Sequence, residues 1–406
     1  MKLMKDSSVL KRLFLLCSLV AIPLFGDVLK DILSTNKTLM FEYELERNEL
    51  ESDKLSKSWI NPVILRYSQN HSTQFPGQTI KTGSYTVSID QPIFRSGGIY
   101  YAIKYADAFR SANRTDIILK RRQMIGDAVS ILFQLRKNAL QQKKLTLQIA
   151  NDKIDIYQKR DSYNAGLLDS SFLDQAILKK SQDEASLLEL KLNLLELKQN
   201  FSLLSDKDPA TLKLPKLKLI SKESYRAHNL ELKRDAMIAE ELEYQENMTI
   251  AKYLPSISLQ GQYTDGDLNP LWGGSGIKER YYNYGFTISM PLDINSFTDI
   301  ESNKVAKLRA KTQVLDRKET VDEEYAWVQN SLNILERKIA LAKKDEKVYS
   351  SLYHLTKNLA QAGEKTSLDV AVMRNSLKIR KLDQKIYEID KQIQLLKLYI
   401  RVENVL

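Results

Sequence analysis

The sequence predicts a mostly α-helical protein that carries four short transmembrane β-strands, built as two tandem copies of one unit. Three observations predict it. Residues 98–163 and 296–362 contain no proline, and Gly98 and Gly126 are their only glycines. Four other stretches alternate apolar and polar side chains, the period of a strand with two unlike faces. Landmarks of the first half of the chain return in the same order in the second.

The first 26 residues stand apart. Lys2, Lys5, Lys11 and Arg12 precede an apolar run from Leu13 to Phe25, and Gly26 offers a cleavage point. Such a run suits a secretory leader and is short for a transmembrane helix. Cys17, the only cysteine of the 406 residues, lies inside it, so disulfides and cysteine metal sites are excluded from the mature chain. Removing four basic residues and Asp6 takes the formal charge from +10 to +7. Lysine and glutamate are interspersed along the helical stretches, which marks solvated faces rather than a phosphate-binding stripe. No nucleic-acid partner is expected.

The repeat rests on three correspondences. Pro62 and Pro255 lie 193 residues apart, Pro92 and Pro291 lie 199 apart, and Gly166 and Gly363 lie 197 apart. The first copy covers 27–205, with a helix, strands at 60–69 and 82–93, a long helix at 98–163 and a return helix at 171–205. A connector at 206–222 carries Pro209 and Pro215 and reads as a lateral extended segment. The second copy covers 223–406, with a helix at 223–253, strands at 254–264 and 281–292, a long helix at 296–362 and a return helix at 367–404.

The strands carry the membrane signal. Ile257, Leu259, Gly261 and Tyr263 alternate with Ser256, Ser258, Gln260 and Gln262. Tyr282, Tyr284, Phe286, Ile288 and Met290 alternate with Tyr281, Asn283, Gly285, Thr287 and Ser289. Tyr85, Val87 and Ile89 form a third apolar row, and Val63, Leu65 and Tyr67 a weaker fourth. About ten residues is the length a tilted strand needs to cross a bilayer. Four strands close no barrel, and an open edge in hydrocarbon leaves backbone groups unpaired. Several chains must therefore contribute strands. The segments 69–81 and 265–280 read as loops on one side, with every helix on the other.

At 1.5 Å per residue, each long helix extends roughly 100 Å. Ile118, Ile125, Leu132 and Ala139 are seven apart, as are Val321, Val328, Leu335 and Ala342. The return helices step by three and four, as in Leu187, Leu190, Leu194 and Leu197, or Ile379, Leu382, Ile386 and Ile389. This spacing keeps an apolar seam toward neighbouring helices. Each return helix has half the outgoing length, so the helices before the first and third strands must stack on their ends.

The chain resembles the TolC family of outer-membrane efflux proteins. The matching motifs are YLPSISLQGQY at Tyr253 to Tyr263, SIDQPIF at Ser88 to Phe94 and YNAGL at Tyr163 to Leu167, in that family's order and spacing. The resemblance implies a homotrimer with a 12-stranded barrel in outer-membrane lipid and a coiled-coil tunnel in the periplasm. It also implies docking of a periplasmic adaptor and an inner-membrane transporter at the hairpin tips, for efflux or type I secretion. Here the tips are Gly166, Leu167 and Leu168, and Gly363, Lys365, Thr366 and Ser367. The glycines also read as helix caps.

Family members place acidic side chains six residues past the tip glycine. Asp369 matches that position, while Phe172 stands at its counterpart, with Asp174 two residues on. Asp369 therefore reads as part of a carboxylate ring at the pore entrance, or as a helix N-terminal residue favoured by the dipole. Val372 replaces a second acid. His71, His228 and His354 are dispersed and no catalytic pair stands out. No enzyme, cofactor or metal is expected. The competing reading is a soluble periplasmic coiled-coil adaptor or scaffold, against which stand the two hairpins and the lipid-suited strands.

Overall fold

The computed structural model describes residues 32–75, 78–267 and 278–403. The leader, Cys17 and residues 268–277 of the second expected loop lie outside them. The elements run α1 (Thr35–Ser56), β1 (Ile64–Phe75), β2 (Gln78–Phe94), α2 (Gly98–Asn164), α3 (Ser170–Ser202) and α4 (Lys222–Ala227). Then follow α5 (Leu230–Lys252), β3 (Ser256–Gly266), β4 (Arg280–Ser289), α6 (Ser296–Gln361) and α7 (Ser367–Ile400). The two long helices have 67 and 66 residues. Among the described residues no helix is long and apolar enough to cross a membrane.

The chain divides into two compact units. One comprises Glu42–Ile117 and Glu231–Glu319. It holds a four-stranded antiparallel sheet in the order β1-β2-β3-β4. Its helices pack side by side. The Asn48 amide of α1 donates to the Arg110 carbonyl and Ser52 to that of Ala106, both at 2.9 Å, which ties α1 to α2. Ala102, Ala106 and Ala112 are buried, so α2 meets its neighbours on small side chains. Ion pairs from Lys311 to Glu243, at 2.8 Å, and from Lys307 to Glu246 join α6 to α5.

The other unit holds the remainder, including Ile118–Leu230. Here the return helices stack end to end on their successors. The Ser34 amide donates to the Leu204 carbonyl at 2.8 Å, so α1 starts where α3 stops. The Leu230 amide donates to the Arg401 carbonyl at 2.8 Å, so α5 starts where α7 stops. The α7 terminus is held from α2. Arg122 donates from Nη2 to the Tyr399 carbonyl at 2.6 Å and from Nε to that of Ile400 at 3.1 Å, satisfying two end carbonyls. Burial lowers the Arg122 guanidinium to about 10, with Glu403 opposing.

One turn further along α2, Gly126 makes room for Ile400. A Cβ there would lie 2.3 Å from Ile400 Cγ1. Alanine in place of a helical glycine normally gains about 1 kcal/mol. Overpacking a filled site costs about 1–3 kcal/mol, so Gly126→Ala is expected to destabilise on balance. The thermal midpoint by circular dichroism should fall, and Ile400→Ala in the same chain should recover part of it.

Two expectations are corrected. Of the loop expected at 69–81, residues 69–75 and 78–81 are strand. Asn70, His71 and Ser72 pair with Thr82, Lys81 and Ile80, so both strands continue past their apolar part. Polar side chains end the alternation but leave the backbone ladder intact. The helix expected at 223–253 breaks at His228 and Asn229. The Glu403 amide takes the His228 carbonyl at 3.0 Å, and Asn229 bridges Val402, so these backbone groups pair with the chain's end. Residues 212–221 of the connector carry no regular structure and are held by side chains of α7: Gln392 bonds Leu217, and the Tyr399 hydroxyl bonds Lys218.

Candidate functional site

The sheet has one apolar and one polar face, and the register fixes both. Leu65, Val87, Tyr263 and Tyr282 line up across the four strands. Ile89, Gly261 and Tyr284 form the next row, and Leu259 pairs with Phe286 on the same face. The opposite face carries Arg66, Thr86, Thr264 and Tyr281, then Ser88, Gln262 and Asn283. The apolar face is bare: Tyr284 is 85% exposed and Leu65 78%. Exposed apolar area of this extent marks an interaction surface.

Pairing stops at both ends of the sheet. Among the described residues β1 pairs only with β2, and β4 only with β3. Both outer edges offer unpaired backbone groups, the condition natural edge strands otherwise blunt. Of the aromatic residues near strand ends, Tyr67 lies on the apolar face against Tyr85, with ring centroids 4.7 Å apart. Tyr281 lies on the polar face. Tyr253 is buried, and its hydroxyl donates to Asp299 at 2.6 Å, a packing role.

The two tips share one backbone geometry. Gly166 has φ +71° and Gly363 φ +82°, the left-handed region that glycine enters without a Cβ penalty. The Leu167 amide reaches back to the Ser162 carbonyl and the Glu364 amide to that of Leu359, each at 2.9 Å. With Gly166 on Tyr163 and Gly363 on Ala360, these bonds complete two Schellman caps. Leu167 is 79% exposed, Leu168 is half-buried, and Lys365, Thr366 and Ser367 are exposed.

The helices that leave the tips are capped differently. Asp169 caps α3 by accepting from the Ser171 amide at 2.8 Å. Thr366 and Asp369 form a full capping box at α7, each side chain taking the other's amide. The second oxygen of Asp369 accepts from the Gln158 amide at 3.1 Å, which ties the tip to α2. Asp174 is exposed on the first turns of α3, and no bond joins it to Asp369.

The Thr366 backbone N–H holds the Asp369 carboxyl below its ordinary range, helped by the Thr366 hydroxyl and Gln158 against a smaller effect of burial. Because the folded-state value is depressed, the capping contribution is whole above the ordinary carboxylate value. It is lost as the pH falls through the folded value. Thr366→Ala is expected to cost about 1 kcal/mol locally. Hydrogen exchange should report it as lost protection in the first turn of α7, with α3 unchanged.

Gln158–Asp369 is the last rung of a polar ladder that the apolar pattern did not reveal. Lys137 pairs with Asp390 at 2.7 Å and Lys144 with Asp383 at 2.6 Å. Asn151 bonds Asn375 at 3.0 Å and Ser376 at 3.4 Å. The α2 members are spaced seven apart, as are Asp390, Asp383, Ser376 and Asp369 on antiparallel α7. Polar residues at that spacing are legible in sequence, but they resemble a solvated face.

The rest of the described surface offers no catalytic constellation. His71 lies on β1, His228 closes α4, and His354 stands beside Tyr353 on α6. Among the described residues no group of three potential ligands is placed to hold a metal ion.

No protein-family model matches the sequence, and no curated protein matches it. Solved structures do resemble it. The outer membrane protein VceC from Vibrio cholerae superposes with a TM-score of 0.71 at 17% identity, over 90% of this chain and 92% of that one. The Campylobacter jejuni CmeC outer membrane channel gives 0.73 at 14% identity, over 92% and 85%. The open state of the Neisseria gonorrhoeae MtrE outer membrane channel gives 0.62 at 12% identity, over 92% and 86%. At these identities the likeness establishes the fold: mostly helical, with a small antiparallel sheet, as in outer-membrane channels of the TolC type.

Proposed function

We propose, from the TolC-like fold shared with those channels, that this chain is a subunit of an outer-membrane exit duct for efflux or secretion. The observation that carries the reading is the sheet with one bare apolar face and two open edges. In lipid such a sheet is stable only when every edge is paired, so copies of the chain must join theirs into a barrel. The family resemblance makes the assembly a homotrimer with twelve strands. The matched landmarks and like tip geometry support reading each chain as a two-fold repeat. The duct is passive and not an enzyme. The tips at Gly166–Leu168 and Gly363–Ser367 receive a periplasmic adaptor, an inner-membrane transporter supplies the energy, and the helices lie in the periplasm.

Cell fractionation tests this. The mature chain is expected in detergent-extracted outer membrane as a multimer, and to conduct ions in planar bilayers. Recovery only from the soluble periplasm would leave the scaffold reading. The entrance is tested separately. If Asp369 lines it, with Asp174 nearby, Asp369→Asn should lower single-channel cation selectivity several-fold. Unchanged selectivity would leave Asp369 a cap alone.

A further inference from the structure

The polar face of the sheet is almost free of charge, and its two exceptions stand at different heights. The described strands carry Arg66, His71, Lys81, Asp90, Asp265 and Arg280 as their acidic and basic residues. The register sets His71 opposite Lys81, and Asp265 between Tyr85 and Arg280. Side chains alternate between faces, so these four share the face of Tyr67, Tyr85 and Tyr263. There Arg280 and Asp265 also pair with each other at 3.1 Å. Within the described strands only Arg66 and Asp90 bring charge to the face of Thr86, Gln262 and Asn283.

Arg66 lies in one row with Thr86, Thr264 and Tyr281, and Asp90 in another with Gln260 and Gly285. On β2, Thr86 and Asp90 are four residues apart, about 13 Å at the rise of a strand. From Asp90 the chain runs on into α2, so Asp90 stands toward the helices and Arg66 farther from them. Their surroundings differ too. Asp90 accepts from the Gln260 amide at 3.4 Å. Arg66 is exposed, and its row offers it hydroxyl groups alone. The one acid on its face is two rows away. A guanidinium so placed keeps its full charge and its forked donors, which match the oxygens of carboxylate and phosphate.

We infer that Arg66 binds and selects the oxyanionic groups of solutes that pass through the sheet. In a barrel whose apolar face meets lipid, the polar face is the lumen wall, where substitutions tune selectivity. Copies joined at their sheet edges set each Arg66 at one height, which makes a ring of like charge. Rings of arginine or lysine favour anions, as rings of carboxylates favour cations. Low-dielectric walls of one sign focus the field and raise the local concentration of the opposite ion. Asp90 forms a second ring of opposite sign on the helix side. This inference rests on the multimeric duct proposed above. It adds a filter on the sheet whose sign is opposite to that of an Asp369 ring.

The test uses the full-length protein in planar bilayers under a potassium chloride gradient. Arg66→Ser should shift the reversal potential toward cations, with the chloride-to-potassium permeability ratio falling several-fold. Arg66→Glu should lower that ratio further, Arg66→Lys should keep it, and Asp90→Asn should raise it. Citrate added to both compartments should block current through the unaltered channel. The block should weaken several-fold in Arg66→Ser, and also in the unaltered channel at high salt.

Multimer yield in extracted membranes controls for assembly. Should Arg66→Glu fail to assemble, Arg66→Gln, which keeps a polar side chain of moderate length, serves in its place. An unchanged permeability ratio in an assembled, conducting variant would overturn the inference and leave the duct standing. Citrate block that survives Arg66→Ser would do the same. Absence of any conductance from the unaltered chain would instead remove the duct reading, and the Arg66 filter with it.

Discussion

Tyr284→Arg is expected to abolish stable assembly in the outer membrane, whereas Asn283→Arg is expected to leave it largely intact. The two residues are adjacent near the middle of β4 and point to opposite faces. Tyr284 shares its face with Ile89 and Phe286, and its ring stacks toward Tyr282 with centroids 6.3 Å apart. Asn283 shares its face with Ser88 and Gln262. An arginine on the lipid face of a barrel strand costs about 2–4 kcal/mol near the bilayer midplane and about 0–1 near the interface. On a water-filled lumen it costs little. Each chain repeats the substitution, so the penalty multiplies with copy number and competes with the whole stability of assembly. Multimer yield in extracted membranes reads the difference. Equal tolerance at both positions would mean that the apolar face meets water, and the channel reading would fall with it.

Much of this sheet was legible because its two periods are physical. Alternation at Ile257 to Tyr263 and at Tyr282 to Ile288 follows from a pleat with unlike surroundings, and the structure keeps that parity in every strand. What escaped either carried no apolar mark or was set by partners distant in sequence. Residues 70–72 look like a loop because Asn, His and Ser carry no apolar signal, yet their ladder to β2 needs only backbone. Nothing near His228 or Asn229 marks a helix break; Val402 and Glu403 impose it from the far end of the chain. Gly126 stood out as the one interior glycine of a long helix, but only Ile400 explains it. At the tips, both glycine caps were readable, since capping is local chemistry, and Asp369 read as a helix N-terminal residue without its Thr366 partner. The ladder from Lys137 to Gln158 was not, because polar residues at heptad spacing carry no mark of burial until their partners are known.

Asp235→Ala is expected to destabilise the sheet-bearing unit by roughly 3 kcal/mol, the usual scale for removing one partner of a buried ion pair. Asp235 is 2% exposed, and both of its oxygens are used. Oδ1 accepts from Arg234 at 2.9 Å and Oδ2 from Arg317 at 2.9 Å. Arg234 also reaches Asp116 and Arg317 also reaches Glu231, each at 3.1 Å, so one chain of charges joins α2, α5 and α6. Without Asp235 two acids still balance two arginines, so net charge does not drive the loss. It comes from guanidinium N–H groups left without acceptors in a site that water enters poorly. Asparagine should restore little, because its amide turns a donor toward one of the two arginines. Thermal unfolding should give a lowered midpoint for both variants. In a double-mutant cycle, Arg317→Ala should cost much less once Asp235 is gone. Full additivity of the two would show that Asp235 and Arg317 are not coupled.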